Sequence, residues 1–196
     1  MSHLSLPRIF MTSSADPGGR DTPSVAKLLL LYVMPMSLLP PLMYVYSQLA
    51  HPGAVLPLLE PALSLSEAVL VGAAFFMVEL LAVAMMAMFI QQLGDRVGTQ
   101  PSYAEAYALA AFAPTPLWLA TLGLALPNLW VNVGFMVIAW FFSVGLIRRG
   151  ITPLFMPYDD SKTHQLANTL TFIGVMTWCG LLLFLVLLLS MVLGWR

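Results

Sequence analysis

The stretch that decides the fold is Ala106 to Ile147, AYALAAFAPTPLWLATLGLALPNLWVNVGFMVIAWFFSVGLI, 42 residues without one Asp, Glu, Lys or Arg. A helix rising 1.5 Å per residue crosses the hydrocarbon core of a bilayer in about 20 residues, so this run is two crossings long. Pro127-Asn128 divides it into 21 and 19 residues and marks a tight helical hairpin. Pro114 and Pro116 fall at mid-span in the first half. Proline removes an amide donor and displaces a carbonyl from the helical ladder, so the spacing predicts a kink there.

The same composition extends outward in both directions. Of 196 residues, 60% are apolar and only 9% charged, against about 45–50% and about 25% in a soluble domain. A large water-facing domain is excluded, and the chain reads as an all-α polytopic membrane bundle. Upstream, Leu28 to about Leu49 forms a first span bearing Pro35, Pro40 and Pro41, which should kink it. A broken, proline-rich connection follows, carrying Glu60. Ser64 and Glu67 then stand in the spacing of a capping box and open a second span, about 66–93. Ser102 and Glu105 repeat that spacing before the third, about 104–126. The fourth is 129–147. Arg148, Arg149, Asp159, Asp160, Lys162 and His164 are read as one hydrophilic loop, and the fifth span is 165–193. Residues 1–27 lack a sustained apolar period and are expected to form a polar, flexible cytoplasmic leader, retained because no signal-peptide core precedes a cleavage site.

Alternation of five spans puts Arg8, Arg20, Lys27, Arg96, Arg148, Arg149 and Lys162 on one side and leaves Arg196 alone on the other. Positive residues concentrate on the cytoplasmic side, which predicts an N-terminus inside, a periplasmic C-terminus and a place in the bacterial inner membrane. Arg148, Arg149 and Lys162 would meet anionic headgroups or partners as well as fix topology.

Glu79 is the one charge that topology does not explain. It lies at the middle of the second span, with eleven residues between it and Glu67 and fifteen between it and Asp95. A charged group at that depth costs about 2.5–3.5 kcal/mol on insertion scales and usually faces a bundle interior or a watery cavity. Two readings stand: a carboxyl that fixes helix pairing by hydrogen bonds, which is preferred, or one that takes up a proton or meets a cation in a transport path. Mid-depth polar partners on offer are Thr115, Thr121, Asn132, Ser143, Thr171 and Thr177, with Asn132 placed rather near the outer interface. Met85, Met86 and Met88 are spread around the helix and read as packing.

Enzymatic motifs are not found. His3, His51 and His164 do not accompany a nucleophile, there is no Gly-rich phosphate loop and no His-Glu-x-x-His, and the single Cys179 lies deep in the fifth span. No cofactor, metal or nucleic acid is expected. Ser102-Tyr103-Ala104-Glu105-Ala106-Tyr107, Pro114, Pro116, the Leu-Pro hairpin at Pro127, Gly145 and the basic Lys162, in that order of segments, resemble the Ypt-interacting protein (Yip) family in its short bacterial form, over about residues 26–194. The resemblance implies a membrane architecture. Its eukaryotic members engage Rab-type GTPases through an extended cytoplasmic N-terminus; here the leader has 27 residues. The function expected is non-enzymatic organisation of the membrane or of partner proteins, with homo-oligomerisation plausible from the many small residues. The alternative is a channel or transporter for a proton-coupled or cationic solute using Glu79.

Overall fold

The structure is a computed structural model, which describes residues 24–52, 63–98, 100–155 and 160–194. Glu60, Asp159, Arg196 and the leader up to residue 23 lie outside the described residues, as does the side chain of Lys162. Five helices are long and apolar enough to cross a membrane: α1 (Val25–Ala50), α2 (Leu65–Val97), α3 (Tyr103–Ala125), α4 (Leu129–Phe155) and α5 (Asp160–Gly194). No strand occurs among the described residues.

Local chemistry sets the helix ends. Ser24 caps α1 by accepting from Lys27 N at 3.3 Å, so the helix begins three residues earlier than the charge pattern suggested and takes Lys27 into its first turn. Both capping boxes form. Ser64 N donates to Glu67 Oε2 at 2.7 Å and Glu67 N returns to Ser64 Oγ; Ser102 and Glu105 do the same at 3.0 and 3.3 Å. α2 stops at Gly98, whose φ of 84° lies in the left-handed region where a side chain would clash. In the hairpin, Asn128 Oδ1 accepts from Trp130 N and Val131 N and so starts α4.

The prolines interrupt two helices. α1 contains a π turn over Leu29–Val33, which ends two residues before Pro35, and a second break at Leu38, two residues before Pro40. α3 breaks at Ala113-Pro114 and ends in a 3-10 turn over Thr121–Ala125. The fourth span differs from the expectation at its end. The helix runs on through Arg148 and Arg149 to Phe155, and α5 starts at Asp160, so the described residues of the predicted loop are helical. Charges there mark where a membrane would end, and an α-helix can continue into water beyond that point.

α2 is the hub: it packs on α1, α3 and α5, while α4 bridges α3 and α5. At one end a large core gathers Val33, Val83, Ala87, Ile90, Tyr107, Leu109, Trp118, Ile151 and Leu170 from all five helices. At the other, Tyr44, Leu63, Ala68, Val71 and Leu189 form a smaller one. α1 and α2 approach closely at Gly72, where a Cβ would lie 3.4 Å from both Pro41 Cβ and Val45 Cγ2. Glu79 falls on α2 between the stretches that serve the two cores.

Candidate functional site

The helix breaks place polar groups at mid-depth, because every carbonyl they release needs a donor inside an apolar medium. Pro116 has no N–H for the Phe112 carbonyl four residues back, and Thr115 Oγ1 donates to that carbonyl at 2.8 Å. With its single proton so engaged, Thr115 Oγ1 accepts from the Tyr32 hydroxyl of α1 at 2.6 Å, while the Tyr32 and Phe112 rings pack with centroids 4.5 Å apart. One residue on, Leu117 N is the ordinary helical partner of the Ala113 carbonyl, but Leu117 N and Trp118 N both donate to Pro114 O. Ser143 Oγ, buried on α4, donates to Ala113 O at 2.7 Å instead. The kink in α3 is thus tied to α1 on one side and to α4 on the other.

Trp118, one turn past the kink, reaches Glu79. Its indole Nε1 donates to Glu79 Oε1 at 3.3 Å, and Glu79 is only 6% exposed. Glu79 lies about 21 Å along the helix from Leu65 and about 27 Å from Val97, far from either aqueous end. Its second oxygen, Oε2, is buried and has no hydrogen-bond partner. Glu79 lines a cavity of about 720 Å³ between the helices. All five helices contribute to the walls: Tyr44, Ser47 and Gln48 from α1, Met86 from α2, Trp118 from α3, Asn132, Trp140 and Ser143 from α4, and Thr177 and Trp178 from α5. Trp140 and Trp178 meet edge to face with centroids 5.7 Å apart. Most of the remaining wall is aliphatic, and among the described residues Glu79 is the only acidic or basic one in it.

The candidates read from the sequence sort as follows. Glu79 is inside the bundle. Pro40 and Pro41 are buried, and they line the cavity with Pro114, whereas Pro35 is exposed. Asn132 shares the cavity with Glu79, although it uses its Nδ2 on Leu126 O at 3.1 Å. Arg148 and Arg149 are exposed, and Arg148 Nη2 donates to Asn168 Oδ1 on α5 at 3.3 Å. Met85 and Met88 point outward, and only Met86 faces the cavity. Sequence reasoning missed Trp118, Tyr32, Trp140 and Trp178. An indole in an apolar helix leaves no periodic signal, and the kink prolines two and four residues before Trp118 were the available hint. Among the described residues no three His, Cys, Asp or Glu gather in a way that could hold a metal ion.

The model of the family described as Yip1 domain matches residues 16–189 of this chain. No curated protein and no solved structure matches it.

Proposed function

We propose, from the premise that this chain belongs to the Yip1 domain family, that it is a non-enzymatic protein of the bacterial inner membrane that organises the membrane or partner proteins through its helix flanks. Its N-terminus is placed in the cytoplasm and its C-terminus in the periplasm, on the distribution of positive charge.

One observation carries the reading. The last two helices are covered least by the rest of the chain: 11% of the apolar window of α4 and 6% of that of α5 are buried, against 39% for α3. Phe141, Phe142 and Phe172 stand 76%, 66% and 63% exposed on these flanks. Within a bilayer such a surface meets lipid or another helix, and aromatic residues supply large contact areas at small entropic cost. Single cysteines at Phe142 and Phe172, in a Cys179→Ser background, test this by oxidative cross-linking in native membranes. Discrete adducts above the monomer, from a second copy or another membrane protein, are expected from both positions. Monomer alone from both would overturn the organising role.

A transport reading draws support from the cavity at Glu79. Against it stand the predominantly aliphatic wall and the single hydrogen bond from Trp118, the arrangement a pairing residue adopts. Liposome flux measured with the native chain and with Glu79→Gln decides: a specific cation flux lost in the variant would replace the organising role.

A further inference from the structure

Among the described residues, four buried side-chain oxygens lack a hydrogen-bond partner, Tyr44 Oη, Glu79 Oε2, Asn132 Oδ1 and Thr171 Oγ1. Three of the four belong to residues that line the cavity at Glu79. Each such atom costs about 1–3 kcal/mol when left dry, so their gathering around a single space marks a place built to be occupied. We propose that this cavity is a binding site for a lipophilic primary ammonium, an alkyl- or arylamine whose –NH3+ sits at the Glu79 carboxyl.

The chemistry of the wall selects this class. Glu79 Oε2 is a buried acceptor without a partner, so the complement is a group with N–H donors. Among the described residues Glu79 is the only acidic or basic one in the lining, so an amine brought there can take up the carboxyl proton and pair with it as an ammonium. Trp140 and Trp178 line the same cavity from α4 and α5, and indole faces attract ammonium ions. The aliphatic remainder accepts a hydrocarbon body, and about 720 Å³ lies within the range of about 300–1,000 Å³ typical of small-molecule sites. An ethanolamine phospholipid shares the ammonium but brings a phosphate, and among the described residues no Lys, Arg or His lines the cavity to pair it. The site goes beyond the organising role and does not depend on it.

The test uses the full chain in nanodiscs of phosphatidylcholine and phosphatidylglycerol, titrated with octylammonium and followed by tryptophan fluorescence and by the melting temperature. Saturable binding is expected, weakened at least about tenfold by Glu79→Gln. Octanol should not saturate, and octyltrimethylammonium, which has the charge but no N–H, should bind about tenfold more weakly. Glu79→Gln keeps an oxygen for the Trp118 indole, and its elution on gel filtration checks its fold. If that variant does not fold, the octylammonium and octanol titrations of the native chain decide alone. Equal binding by octanol, equal binding by a folded Glu79→Gln, or no saturation by octylammonium would overturn the proposal. So would displacement of octylammonium by discs rich in ethanolamine phospholipid, which would assign the site to a headgroup.

Discussion

Replacing Ser143 by Ala deletes one hydroxyl and isolates the bond that holds α4 to the kink of α3. The Ser143 Oγ to Ala113 O distance is 2.7 Å and Ser143 is buried. Because Leu117 N is committed to Pro114 O, the Ala113 carbonyl loses its donor and no water is at hand to replace it. A buried group left unsatisfied costs about 1–3 kcal/mol. Interhelical hydrogen bonds within membranes average about 0.6 kcal/mol and reach about 1.7, since the unfolded chain also finds partners. The two ranges overlap between about 1 and 1.7 kcal/mol, a factor of about 5 to 17 in the unfolding equilibrium by the usual conversion. Reversible unfolding in mixed micelles, titrated with a denaturing detergent, measures it, with Ser190→Ala on the exposed side of α5 as the control. The same substitution made in a Pro114→Ala, Pro116→Ala background should cost less, because an uninterrupted α3 would supply Leu117 N to the Ala113 carbonyl. A loss no larger than that of Ser190→Ala, or an undiminished loss without the prolines, would refute the reasoning.

Further outcomes follow from other parts of the bundle. Gly72→Leu should force α1 from α2, since a Cβ alone already lies 3.4 Å from Pro41 Cβ; overpacking of this kind costs about 1–3 kcal/mol, read in the same detergent titration. Ser64→Ala removes the acceptor for Glu67 N and should cost about 1 kcal/mol, less than Gly72→Leu. A phosphatase reporter fused after Arg196 should be active and a cytoplasmic fluorescent reporter there dark, and the reverse would overturn the proposed orientation.

Much of the architecture could be read in advance because charge and lipid are incompatible. Charged residues return at most span ends, Pro127-Asn128 divides the uncharged run into two helices, and the two capping boxes at Ser64 and Ser102 sit where their spacing put them. The end of α4 was misplaced for the same reason: Arg148 marks a change of medium, and the helix passes through it to Phe155. Lateral packing was hidden. In a soluble helix the apolar stripe shows which face is buried, but here both faces are apolar, so Trp118 and Glu79, 39 residues apart, carry no mark of being neighbours. Ser143 was visible as a mid-depth hydroxyl, yet its partner depends on which carbonyl the α3 break releases. Glu79 stood out as an unexplained charge, whereas the cavity it faces arises only when five helices are assembled.

That cavity is the centre of the account, and its most direct test is the reactivity of one carboxyl. Dicyclohexylcarbodiimide, which partitions into apolar spaces, and a water-soluble carbodiimide are applied separately to the protein in nanodiscs, and modified residues are mapped by mass spectrometry. A carboxyl with Oε2 unpartnered in a mostly aliphatic cavity should be modified at Glu79 by the lipophilic reagent and spared by the water-soluble one, with the Glu79 adduct absent in Glu79→Gln. Glu79 untouched by the lipophilic reagent, or modified equally by both, would contradict the account.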